Sequence, residues 1–493
     1  MKISQQKPTT SGLRHHVNLL ASTVLSLLIA GLPLDLSAGQ TNRVQLPNIG
    51  DPADRFLSPA QEKKLGEDFL RNVYRYGAVL EDPEISSYIQ HLGNELSNTL
   101  ADGTHKFTLF VVKDRSINAF AVPGGYIGVN AGLILSSKSE SELASVVAHE
   151  IAHVSQRHIA RRIAHMSGSQ IPTLGAMLAG ILLASTGSSD AGTALLMAGV
   201  AAQQQKLLNY SRDMEIEADR VGLDLLYRSG FDPRGMPEFF RTLQRKRYSK
   251  IPDEYQFLIT HPLDSVRIAE AQGRINSLPA RSHKSSSYYR YAKARLQALA
   301  SQNPTTLVKN FEKQQIKNDP YQQYAYSQAL ERKNLFKRAE SVLLPLVNKD
   351  KENIVYQLAL ARTKANANQA DEAIKILKRM HNLYPDNFAI NYYYAKSLMQ
   401  DGHAELGEES LKNYLNKYEA PTLEIYKLMA ELQELCDQLI ESKKTLAEYY
   451  YNTGNVSAAV FQLREALRDP KLDVINRSQI EKRLGELLQS VRS

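Results

Sequence analysis

The chain has 493 residues, 43% of them hydrophobic and 23% charged, with a formal net charge of +8. That length exceeds one ordinary domain and predicts two or three, each with its own core. The charge is spread over 60 Lys and Arg and 52 Asp and Glu without basic tracts, which gives no sign of nucleic-acid binding, and the single cysteine, Cys436, excludes an intramolecular disulfide.

At the amino terminus Lys2, Lys7 and Arg14 precede an apolar run from about Val17 to Leu34 and a small-residue exit at Ser37-Ala38-Gly39. This pattern predicts a cleavable signal peptide over residues 1–38 and export from the cytoplasm. The run approaches the length of a membrane span, but Pro33 and Asp35 favour cleavage over retention as an anchor. A polar linker follows over residues 39–57. Residues 58–102 show helical periodicity, opening on Ser58-Pro59, a cap followed by proline in the first turn. "KFTLFVVKD" reads as a short alternating strand. In "NAFAVPGGYIGVNAGLI", Pro123-Gly124-Gly125 is a turn and Tyr126 to Val129 a strand; taken alone the segment reads as a plain hairpin, and beside a metal-bearing helix the strand can act as an edge on which an extended peptide lies.

The stretch "ASVVAHEIAHVSQRH", residues 144–158, carries the first chemistry. On a helix His149 and His153 are four apart and share a face, a geometry suited to a metal, with Glu150 beside them where a base would hold water. The HExxH pattern alone is weak, and a third ligand is needed. A histidine six residues after His153 is absent, since Ile159 stands there, and Gln156 occupies the matching glycine position. His158 misses that register by one and is expected to face solvent. "YSRDMEIEADRVGLDLL" supplies Glu215 and Asp219, again four apart, so Glu215 would complete a His2Glu set and Asp219 would accept the N–H of a ligand histidine. Glu217 is the rival ligand, but it points about 200° away from Glu215 on the helix.

Between these motifs lie two small-residue apolar segments split by a Gly/Ser/Asp break, and residues 171–202 are expected to form a flap over the site that touches membrane or an unfolded client. Helical patterning returns over residues 211–274, and residues 281–287 are a linker. The remainder, residues 288–493, is helical and repeats. Blocks starting at 320, 354, 388 and 440 align Ser327, Ala361, Ala395 and Ala447 at the eighth position, Ala339, Ala373, Gly407 and Ala459 at the twentieth, and Leu343, Leu377, Leu411 and Leu463 at the twenty-fourth. Small residues where paired helices touch, followed by larger apolar ones, resemble the 34-residue tetratricopeptide repeat, whose solenoids bind protein on a concave face.

The motifs "NAFAVPGGYIGVNAGLI", "HEIAH", "EIEAD" and "THPLDSVRI" resemble, in order, those of the M48 zinc metallopeptidases, and the exported, repeat-bearing second half is similar to their periplasmic branch in Gram-negative bacteria. The resemblance implies an α+β gluzincin-like metalloprotease domain over residues 58–280, mostly helical with a small sheet, followed by an all-α tetratricopeptide-repeat solenoid. It implies one zinc per chain on His149, His153 and Glu215, with Glu150 as general base. His261 is then expected either to donate to the developing oxyanion, with Arg267 as a supporting charge, or to take the metal's fourth position as a latch. The implied substrates are unfolded or misassembled outer-membrane β-barrel proteins, with the outer-membrane β-barrel assembly machinery met through the repeats and a chaperone-like contribution beside proteolysis. The competing expectation is a non-proteolytic assembly factor with a structural or latent metal, which would need no base at Glu150.

Overall fold

In the computed structural model, helix α1 (Pro59–Arg75) starts at a reciprocal cap in which the Ser58 hydroxyl and the Gln61 side chain each bond the other's backbone N–H. Its buried stripe is Gly66, Phe69 and Val73. The structure describes residues 52–100, 106–165, 212–247, 256–283, 285–314, 316, 319–420 and 422–492. The predicted signal peptide, most of the first linker and the apolar flap of residues 171–202 lie outside the described residues.

The helical periodicity of residues 58–102 resolves into two helices, because Gly77 takes a positive φ of 65° and Val79 forms a β-bridge with Val112 before Asp82 caps α2 (Pro83–Ser97). Strands β1 (Thr108–Val112), β2 (Ala119–Val122) and β3 (Tyr126–Asn130) form one sheet in the order β1-β3-β2. The Pro-Gly-Gly turn, with Gly124 and Gly125 at φ 83° and 90°, folds β3 back antiparallel on β2, while β1 runs parallel to it on the other side. The expectation that Tyr126 to Val129 form an edge is therefore corrected: β3 is central, and the edge beside the metal motif is β2, which among the described residues pairs with β3 alone. β1 does not alternate either, since four of its five residues are buried.

After α3 (Ala131–Ser136), the helix bearing HExxH, α4 (Glu140–Ser155), is capped by Ser139 and buried from Glu140 through His153. Buried on all sides, α4 is wrapped by α2, β2, and helices α6 (Arg212–Arg228) and α7 (Gly235–Arg247); α5 (His158–His165) follows it directly. Gly222 of α6 sits so close to α4 that a Cβ there would stand 3.1 Å from the His149 backbone nitrogen. This closeness brings the two motif-bearing helices together. Helices α8 (Gln256–Thr260) and α9 (Ser265–Ser277) close the site, with Asp264 capping α9.

From residue 287 onward the described chain is helical: α10 (Ser287–Leu299), α11 (Pro304–Lys313), α12 (Pro320–Arg332), α13 (Phe336–Lys349), α14 (Ile354–Asn366) and α15 (Ala370–Leu383). There follow α16 (Phe388–Gln400), α17 (Ala404–Leu415), α18 (Glu424–Leu435), α19 (Leu439–Asn452), α20 (Val456–Leu467) and α21 (Val474–Arg492). From α12 onward each helix packs on its neighbours in sequence. All twelve residues aligned at the three repeat positions are buried. Tyr289, Ala292 and Leu296 of α10 join the same apolar core as α2, α4 and the sheet, while α16 packs on α2 and α19 on α1. No helix among the described residues is long and apolar enough to cross a membrane.

Candidate metal centre

α4 contributes His149 and His153 from one face, α6 contributes Glu215, and the segment between α8 and α9 contributes His261; one ligand atom from each lies within 4.8 Å of every other. His149 Nε2 is 3.0 Å from His153 Nε2, 3.4 Å from Glu215 Oε2 and 3.3 Å from His261 Nδ1. Glu215 Oε1 is 3.5 Å from His153 Nε2 and 3.0 Å from His261 Nδ1. Four donors around a zinc ion at ~2.0–2.1 Å would stand about 3.3 Å apart, so the spacing suits a tetrahedral site. Charge agrees with spacing. With the imidazoles neutral, Glu150, Glu215 and Asp219 face only Arg267, leaving two negative charges in excess in a buried site, which a divalent cation balances. The donor set, imidazole nitrogen with one carboxylate, is the one zinc prefers.

Glu150 is fully buried without a hydrogen-bonding side-chain partner; His261 Nε2 lies 3.4 Å from its Oε1, and the backbone N–H of Ala121 favours its charged form. Burial pushes its pKa up, and the nearby His261 and His149 pull against that. A buried carboxylate without a side-chain partner is costly unless it has work to do. For Glu215 burial acts in the same direction, but His261, His149 and His153 outweigh it and hold its pKa well below the usual carboxylate range. Burial disfavours the His149 cation, yet the Asp219 and Glu215 carboxylates push its pKa up to about 9.

The structure brings every sequence-predicted site residue together. Asp219 Oδ1 lies 3.0 Å from His149 Nδ1, on the side away from the cluster. Two expectations change. His158 does not face solvent: it is fully buried against His153, because α4 ends at Ser155 and the chain turns at Arg157, whose φ is 50°. Arg267 is fixed in the carboxylate network, donating to Asp219 at 2.6 and 2.8 Å and standing 2.8 Å from Glu215 Oε2. Its Nη1 also donates to the Pro262 carbonyl at 2.8 Å, so the guanidinium is committed to these three acceptors. Glu217 points away from the cluster, as its helical angle predicts, and meets His158 and Arg161. Sequence spacing held no signal for His158, since its position depends on a turn rather than on helical period.

An HExxH helix joined by a glutamate from a second helix, with a buried acid beside them, defines a zinc metalloendopeptidase. Residues 82–275 match Peptidase family M48. Over 480 residues the chain is 31% identical to the Beta-barrel assembly-enhancing protease of Escherichia coli (strain K12), covering 96% of each protein. It is 34% identical over 345 residues to the Putative beta-barrel assembly-enhancing protease of Vibrio cholerae, covering 69% of this chain and 70% of that one. To the Mitochondrial metalloendopeptidase OMA1 of Arabidopsis thaliana it is 29% identical over 269 residues, 52% of this chain and 50% of the relative. The chain belongs to peptidase family M48, and its substrates are proteins.

Proposed function

We propose that this is a periplasmic zinc endopeptidase that cleaves misassembled or unfolded outer-membrane β-barrel proteins and assists their assembly. The observation that carries the hydrolytic reading is the fully buried carboxylate of Glu150 beside the converging donors of His149, His153 and Glu215. A purely structural metal needs no such base, so the competing assembly-factor reading leaves Glu150 unexplained. Similarity over 96% of each chain to a relative named for β-barrel assembly supports the client class.

His149, His153 and Glu215 would hold the zinc, with His149 kept in its Nδ1–H tautomer by Asp219 and Arg267. Zinc, when bound, supplies a Lewis acid that activates water and polarises the scissile carbonyl. Glu150 takes the proton from the attacking water on a carboxylate oxygen and returns it to the leaving amine. The edge strand β2 runs beside α4, where a substrate strand can align its backbone with the site. His261 we read as a latch. Its Nδ1 stands among the metal donors and its Nε2 3.4 Å from Glu150, so it covers both the fourth metal position and the base. Substrate entry then requires His261 to move, and its stacking on the Phe257 ring at 4.7 Å is the contact to be broken.

The packed pairs from α12 to α20 we read as a tetratricopeptide-repeat solenoid over residues 288–493, serving client and assembly-machinery contact; the burial of the aligned small residues and leucines supports it. The metalloprotease domain is read over residues 58–280. Cleavage of an unfolded β-barrel protein by the wild-type chain, lost ~10²–10⁴-fold in Glu150→Gln at equal zinc content, tests the hydrolytic reading. Equal cleavage by both would sink it. His261→Ala should raise cleavage if the histidine is a latch; a fall would instead assign it to oxyanion stabilisation.

A further inference from the structure

Two imidazoles of the cluster turn an outer nitrogen away from the converging donors, and each outer nitrogen meets its own chain of partners. For His149 that nitrogen is Nδ1, 3.0 Å from Asp219, whose carboxylate is gripped by Arg267. For His153 the inward atom is Nε2, so Nδ1 is the outer one, and it lies 2.8 Å from Nδ1 of His158. The Nε2 of His158 is in turn 3.3 Å from Glu217 Oε2, which accepts from Arg161 Nη1 at 3.0 Å. Both chains therefore end on a carboxylate paired with an arginine.

The placement of protons follows from the atoms in contact. A histidine that offers the Nε2 lone pair inward carries its proton on Nδ1, and that N–H needs an acceptor. Nδ1 of His158 accepts only if its lone pair is there, which places the His158 proton on Nε2, facing Glu217. The sequence of donors and acceptors closes with both rings neutral. Were His158 in the other tautomer, two N–H groups would face each other at 2.8 Å.

The backbone is built to deliver this contact. α4 stops at Ser155, and Arg157 takes a φ of 50°, a left-handed conformation that non-glycine residues seldom adopt. Its guanidinium is tied to the segment before α1, donating to Asp54 at 2.5 Å and to the Leu57 carbonyl at 2.9 Å, with Glu62 at 3.3 Å. The turn so held folds α5 back and sets His158 beneath His153.

We propose that His158 is a positioning residue of the metal centre: it accepts the Nδ1–H of His153, fixes that ligand's tautomer and ring orientation, and is itself oriented by Glu217 and Arg161. The proposal rests on the reading of His149, His153 and Glu215 as the ligand set. It gives Glu217 a role as an anchor of the second chain, where spacing had made it a rival ligand. Outer partners of this kind tune metal affinity, and their loss typically weakens binding ~10–100-fold.

The test is the zinc dissociation constant of the full chain, measured by competition with a chromophoric chelator. His158→Phe fills the ring volume without an acceptor and should weaken zinc by ~10–100-fold. His158→Asn returns an acceptor oxygen near the position of Nδ1 and should restore most of that loss. Glu217→Gln, at a partly exposed position, should weaken zinc in the same direction by less. Wild-type affinity in the phenylalanine variant, or equal losses in the phenylalanine and asparagine variants at equal thermal stability, would overturn the proposal. Zinc retained by His149→Ala and Glu215→Gln would instead remove the ligand assignment and the proposal with it, an outcome distinct from failure of His158 alone.

Discussion

Two groups of buried charges sit in this molecule, and they are resolved in opposite ways. Where α2 meets α10, α12 and α14, Arg295 donates to both Asp82 oxygens at distances of 2.6 to 3.0 Å and to Gln328 at 2.8 Å. Arg362 bonds Glu84, Gln328 and both Glu331 oxygens, and Asn366 adds a further donor to Glu331. Each guanidinium fork meets acceptors of matching geometry, which is how a buried ion pair becomes tolerable. At the metal centre the same kinds of side chain leave lone pairs converging on one point and, with the imidazoles neutral as metal ligation requires, two negative charges in excess. Burial of charge is thus common to bracing and to chemistry. The convergence of lone pairs on one point distinguishes them.

The sharpest way to break that comparison is to remove one arginine from each group. Arg295→Leu and Arg267→Leu should each destabilise the zinc-free chain by ~3–5 kcal/mol, because each strands a buried carboxylate. Added zinc should recover part of the Arg267→Leu loss, since it balances Glu215 and Asp219, and none of the Arg295→Leu loss; urea titrations with and without zinc read the difference. Equal recovery in both would erase the distinction. Next in size is removal of zinc from the wild-type chain: relative to zinc at a hundred times its dissociation constant, chelation should cost ~2.7 kcal/mol of stability and lower the thermal midpoint.

A pH-dependent effect lies beside the bracing cluster. Burial, with the Glu81 and Asp82 carboxylates, pushes Glu424 of α18 up to about 7 against the pull of Lys396 and Lys427. A carboxyl with a raised folded-state pKa binds its proton more tightly when folded, so its contribution to stability falls as pH rises from about 4.3, the unfolded value, through about 7, and is level above that. Glu424→Gln should flatten the fall in the urea midpoint between those limits. An unchanged slope would show that Glu424 does not carry it.

How far the sequence reaches is clearest residue by residue. His149 and His153, like Glu215 and Asp219, were legible because one helical period places residues four apart on one face, and the cap at Ser58 is read from a side chain that bonds the next turn. The aligned small residues and leucines likewise announced which helical faces would be buried. These are local relations, set within a few residues by backbone geometry. That β3 would be central, that Arg267 would grip Asp219, that His158 would return beneath His153 and that α10 would share the core of the metal-bearing helices depend on elements up to two hundred residues apart in sequence. Periodicity specifies the face a side chain occupies and carries no information about what that face will meet. Only packing decided it, through the close approach at Gly222, the positive φ at Arg157 and the pairing of β3 on both sides.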